Sequence, residues 1–278
     1  MVILQKASDK SKITLDKLSG EIIATVRWID NGDTRSDNDD LYLRAGILFP
    51  SGKMGIVHCS NPGSLQDKPY VLHTGDVKTA SKENPGEETI KVSANISITY
   101  GGPVAIIFSV YSAIANGPVA IASLKPIMRL KYKNQIVDCA LDFTKDRKAL
   151  QKYVYTYVVG VAIIRENEVE ITPGGIVSEP GSESTPWLEW DKSGNPRITM
   201  DGPAVMKGGG KLLAGLINIG NQKKYEVEKT YLANKFLFLK NKLKRLKNLR
   251  KPMNRVFYLV TILKAKLKKL LSVKAQYG

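Results

Sequence analysis

Apolar and polar residues alternate along the first two-thirds of this chain with the two-residue period of a β-strand. In 89–98, Ile90, Val92, Ala94, Ile96 and Ile98 fall on one side and Lys91, Ser93, Asn95 and Ser97 on the other. A half-buried antiparallel strand produces that pattern, because successive side chains point to opposite faces of a pleated sheet. Segments 21–28, 41–49, 104–111, 126–131 and 153–164 are rich in Val, Ile, Thr and Tyr, and 168–171 reads as a further short strand. Turn clusters separate them, among them Asn31-Gly32-Asp33, Pro50-Ser51-Gly52, Gly101-Gly102-Pro103 and Asn116-Gly117-Pro118. Many short strands punctuated in this way predict a β-sandwich. The pattern further predicts a loop over 172–184, a last hairpin from 187–190 and 197–200, and one helical turn within 146–152.

After Gly208-Gly209-Gly210 the period changes. Three glycines favour neither helix nor strand, so the domain boundary is expected there, with a β domain over 1–206 and a hinge and tail over 207–278. Leu232, Phe236, Leu239, Leu243 and Leu246 recur at helical spacing, and so do Val256, Val260, Leu263, Leu267 and Leu270. Lys251-Pro252 interrupts the two stripes. The tail is therefore predicted to be a pair of basic amphipathic α-helices.

Charge sharpens the division. The chain of 278 residues has a formal net charge of +16, but 19 of its 42 Lys and Arg and only 2 of its 26 Asp and Glu lie from Met206 onward. The tail thus carries +17 and the remainder −1. Such asymmetry marks a terminus that meets an anionic partner. Lys240, Lys242, Lys244, Arg245 and Lys247 surround the first stripe and Lys264, Lys266, Lys268 and Lys269 the second. A helix with Lys on one side and Leu and Phe on the other suits an anionic membrane surface. Nucleic acid is an alternative partner for the same cations. Packing of the stripes on each other or on another subunit is the third. Sixteen Lys against three Arg in the tail favour generic anionic attraction over base-specific forks.

Met1 to Lys12 lacks the apolar core of a signal peptide, and the apolar stretches are too short to span a bilayer. The expected location is the cytoplasm, peripheral on the inner membrane face. Cys59 and Cys139 form neither a metal motif nor a disulfide framework and are expected as free, largely buried thiols. Catalysis is not expected. His58 and Cys59 are chain neighbours whose side chains would point to opposite faces of a strand, with the histidine on the surface and the cysteine buried. His73 beside Asp76 reads as a turn histidine near a loop aspartate, with no nucleophile in evidence.

Two acidic loops remain. Asp33, Asp37, Asp39 and Asp40 lead into the 41–49 strand, and Asp76 is followed by Glu83, Glu87 and Glu88. Calcium takes six to eight oxygen ligands that such loops can supply; turn formers and solvated charges would look the same.

An ordered series of motifs over residues 13–171 resembles the TerD/TerA tellurium-resistance family, and its TerA branch most. The series runs Ile13-Thr14-Leu15-Asp16-Lys17, Val26-Arg27-Trp28, Asp40-Leu41-Tyr42-Leu43 and Leu48-Phe49. It continues with the stretch from Gly63 to Asp76 containing Pro69-Tyr70 and Gly75-Asp76, then Gly86-Glu87-Glu88-Thr89-Ile90-Lys91-Val92 and Phe108-Ser109-Val110-Tyr111. The resemblance implies a TerD-like β-sandwich, calcium held between acidic loops by Asp40, Asp76, Glu87 and Glu88, and a non-catalytic scaffold in membrane-associated stress complexes. Two departures stand out. Tyr42 occupies the place of a family aspartate, and Val77-Lys78-Thr79-Ala80 replaces an Asp/Asn-Arg-Thr-Gly step. Both remove oxygen donors.

Overall fold

The protein is described from a computed structural model, which covers residues 1–16, 20–30, 40–77, 80–81, 84–113, 120–142, 150–151, 153–182 and 184–204. These residues belong to one compact unit, Met1–Asn218. The expected tail helices, their lysines, the expected glycine hinge and the expected boundary at 206–207 lie outside the described residues, as does most of the expected turn in 146–152.

Fifteen strands are described: β1 (Val2–Leu4), β2 (Ser11–Thr14), β3 (Glu21–Trp28), β4 (Tyr42–Leu48), β5 (Met54–His58), β6 (Gly63–Ser64), β7 (Val71–His73), β8 (Gly86–Ser93), β9 (Val104–Tyr111), β10 (Ile127–Tyr132), β11 (Gln135–Cys139), β12 (Thr156–Ile164), β13 (Glu168–Val177), β14 (Ser184–Trp190) and β15 (Pro196–Ala204). One sheet has seven strands in the order β1-β11-β10-β3-β8-β7-β6, a second has six in the order β2-β13-β12-β9-β4-β5, and β14-β15 stands apart as a hairpin. Among the described strands, β1–β11 is the one parallel pairing, and an isolated Ala120–Val154 bridge is also parallel. The mainly-β, sandwich-like expectation is met for these residues.

The two large sheets share one core. Ile22, Val26, Trp28, Ile90 and Leu130 come from the first sheet and Leu43, Ile47, Ile106, Phe108 and Ala162 from the second. Close contact at this core is fixed by small residues. A Cβ at Gly86 would lie 2.3 Å from the Trp28 ring, so only glycine lets the indole approach β8 this closely.

The outward faces of the two sheets differ. In β3, β8 and β10 buried positions alternate with exposed or half-buried ones. On this open face Arg27 pairs with Glu87, Lys91 with Glu21 and Arg129 with Asp138. In β4, β9 and β12 every position is buried. The reason is a third layer. Leu188, with Trp187, Trp190, Ile198 and Met200, packs from the hairpin onto Leu48, Met54, Ala105, Ile107, Val158, Val161 and Ile163. This explains why those strands read as continuous apolar runs rather than alternating ones, since both faces are covered.

Three elements differ from the sequence pattern. The strand over 89–98 begins earlier, at Gly86, and ends at Ser93. A short helix, α1 (Ile96–Tyr100), follows and is closed by Gly101 with φ 71°. The alternation thus fails at its end, with Ile98 52% exposed. Residues 172–177, expected as loop, continue β13 through a bulge opposite Val158–Gly160. Here Gly174 approaches the Val158 carbonyl so closely that a Cβ would lie 2.1 Å from its oxygen. The final hairpin is longer than expected.

Candidate functional site

Asp40 lies two residues before the start of β4 and is buried. The Tyr42 hydroxyl, two residues on, donates to Asp40 Oδ2. A phenol thus hydrogen-bonds the carboxylate two residues before it in the chain. On the partner sheet Glu88 points inward with Ile90 and Val92, and it is fully buried. Its Oε2 accepts the Leu43 N–H at 2.7 Å and the His73 Nε2–H at 3.3 Å. Its Oε1 accepts the Val77 N–H at 3.1 Å. A carboxylate has about four lone-pair sites, so three protein donors nearly fill it. Glu88 is a clamp that joins the start of β4 to the chain leaving β7.

His73 is the last residue of β7 and is buried, not the turn residue expected from the sequence. Its Nδ1 accepts the Gly75 N–H at 3.2 Å. The hydrogen-bond network therefore assigns the ring proton to Nε2, facing Glu88. Both ring nitrogens are committed to holding the 73–77 segment in place.

Of the four expected calcium ligands, Glu87 is turned away from Glu88. Glu87 faces the open side of the sheet, opposite to Glu88, and pairs with Arg27 at 3.2 Å. Adjacent residues of a strand cannot both turn to one ion on one face. Asp76 is half-buried in the segment after β7, while Asp40 is bonded to Tyr42 and Glu88 to three donors. No group of three His, Cys, Asp or Glu among the described residues is arranged to hold a metal ion. Glu87 and Glu88 therefore cannot serve one calcium ion on the same face of β8. Asp33, Asp37, Asp39 and Glu83 lie outside the described residues.

The outward face of the six-stranded sheet holds a polar cluster that the sequence did not single out. Arg44, only 1% exposed, stacks its guanidinium 4.1 Å from the centre of the Tyr111 ring. Its Nη1 donates to Thr185 Oγ1 in the hairpin at 3.1 Å and its Nη2 to Thr156 Oγ1 at 3.0 Å. Directly across the β4–β5 ladder, Arg44 faces His58. His58 is 2% exposed, and no hydrogen-bond partner for its Nε2 occurs among the described residues. Burial, with Arg44 and His73 adding to it, pushes this imidazole down to about 4 from an ordinary 6.5. The expected surface histidine and buried cysteine are thus reversed, because Cys59 is half-buried just past the end of β5. The available signal was Arg44 itself, a charge inside the otherwise apolar run of 41–49. Cys139 is the buried thiol. Burial, assisted by Asp138, raises it to about 12.

The membrane-surface residues proposed in the tail, from Lys240 to Lys269, lie outside the described residues. Among the described residues no helix is long and apolar enough to cross a membrane.

Comparison with known proteins yields little. No family model matches the chain, and no curated protein matches it. A crystal structure of a protein of unknown function, SAV2460, aligns with 58% of this chain and 92% of its own at 16% identity and a TM-score of 0.42.

Proposed function

We propose that this protein is a non-catalytic, TerA-like stress-response adaptor. Its β unit would serve as the recognition body, and its basic tail would hold it to an anionic membrane surface. The observation that carries this reading is the segregation of charge: 19 basic and 2 acidic residues from Met206 onward, against a near-neutral remainder. Each Lys or Arg near an anionic leaflet contributes about 1 kcal/mol, so a fraction of the tail suffices for attachment. The non-catalytic part is supported by His73, whose two ring nitrogens are taken up by Glu88 and Gly75. Calcium is not part of the proposal, since Glu87 faces away from Glu88 and no group of three His, Cys, Asp or Glu among the described residues is arranged to hold a metal ion.

The test is co-sedimentation of the full chain with phosphatidylcholine vesicles, with and without phosphatidylserine, at low and high salt. Binding should require phosphatidylserine, weaken with salt, and fall when Lys264, Lys266, Lys268 and Lys269 are changed together to Gln. Salt-sensitive retention of duplex DNA without vesicle binding would replace the membrane reading with a nucleic-acid one.

A further inference from the structure

The β14–β15 hairpin is a separate layer. Among the described residues its strands pair only with each other, so no shared ladder ties it to either large sheet. It is attached by side chains and single contacts. Arg44 Nη1 donates to Thr185 Oγ1, Leu188 N–H to Met54 Sδ at 2.9 Å, and Trp190 Nε1–H to the Phe49 carbonyl at 2.8 Å. Apolar packing around Leu188 completes the attachment. Such a layer can lift without breaking a strand pairing, so its opening need not involve the two large sheets.

Beneath it the buried charge balance is delicate. His58 and Arg44 are direct cross-strand partners, both almost wholly buried. The groups whose charge weighs on His58 are Arg44 from β4 and His73 from β7, with Glu88 of β8 bonded to His73. Tyr42 and Tyr111 share the sheet face of Arg44 and stack on each other at 5.0 Å. Cys59 follows His58 in the chain. The hairpin brings Thr185 toward Arg44, while its Glu189 is exposed and paired with Arg197. A second cation here would be costly while water is excluded, and far less so once water enters.

We propose that the hairpin is an acid-released cover: proton uptake at His58 sets an imidazolium beside buried Arg44, and β14–β15 lifts from the six-stranded sheet while the two large sheets stay closed. Lifting hydrates both cations and uncovers Leu48, Ala105, Ile107, Val161 and Ile163 as one apolar surface. The proposal is independent of membrane attachment by the tail.

Hydrogen–deuterium exchange of the full chain, read by mass spectrometry and corrected for the intrinsic effect of pH, tests it. Between about pH 6.5 and about pH 4, amides in 184–204 should gain exchange, by at most about tenfold per pH unit for one proton. Amides in 104–111 and 156–164 should not. In His58→Gln the hairpin's acid response should vanish. Thr185→Val, which removes the acceptor for Arg44, should move release to higher pH and keeps the test open if His58→Gln does not fold. Loss of protection in all strands together, an unchanged acid response in His58→Gln, or an unmoved midpoint in Thr185→Val would each overturn the proposal.

Discussion

The imidazole Nε2 of His73 and the carboxylate Oε2 of Glu88 meet at 3.3 Å with both side chains fully buried, across the β7–β8 pairing. The same carboxylate oxygen accepts the Leu43 N–H from the facing sheet. One charged side chain thus joins strands of both sheets.

Glu88→Gln should lower stability by about 2 kcal/mol, measured as a fall in the urea midpoint. The amide supplies one acceptor oxygen where the carboxylate has two, and its NH₂ group then opposes either Val77 N–H or the pair from Leu43 and His73. Exchanging the His73 tautomer only moves the conflict to the Gly75 N–H.

Glu87→Gln tests the opposite side of the same strand. Its ion pair with Arg27 is solvent-exposed, so stability should change by no more than about 0.5 kcal/mol. Titration calorimetry with calcium should give the same isotherm for this variant and the unaltered chain. A loss of calcium heat on this substitution would show that Glu87 is a ligand after all.

The two thiols should separate by reactivity. Cys139 is buried and held protonated by its surroundings, with its thiol pushed up to about 12, whereas Cys59 is half-buried past the end of β5. Since the thiolate is the reacting form, iodoacetamide at mildly alkaline pH should label Cys59 in the folded protein and Cys139 only after denaturation. Peptide mapping distinguishes the two.

His58 gives the pH dependence its sign. Its folded value of about 4 lies below the ordinary 6.5, so the fold favours the neutral ring. That contribution to stability is fully present above about pH 6.5 and is lost as the pH falls toward 4. Urea midpoints of the unaltered chain should therefore drop across this window more steeply than those of His58→Gln.

Much of the β unit was legible in the sequence. The strand over 21–28 and the strand over 104–111 occur with the expected bounds, because their Val, Ile and Thr content and flanking turns state them locally. The shorter strands β1, β2, β6 and β11 were missed, since two to five residues carry too little periodicity to separate strand from loop. At the end of β8, the apolar alternation through Ile96 and Ile98 suits a strand, yet the chain turns into α1 and closes at Gly101. Tertiary packing overrode a weak local preference there.

The sequence by itself determined the mainly-β character of the first two-thirds and the segregation of cationic charge into the last quarter, because both are properties of local pattern and composition. Only the tertiary structure decided which polar groups meet. It turned Glu87 outward and Glu88 inward, buried His73 against Glu88, and set His58 across from Arg44, whose guanidinium reaches Thr185 of the third layer. These outcomes depend on register and on what covers each sheet face. A single slip of one residue would reverse every one of those orientations, and nothing in a strand's own composition states what will be packed above it.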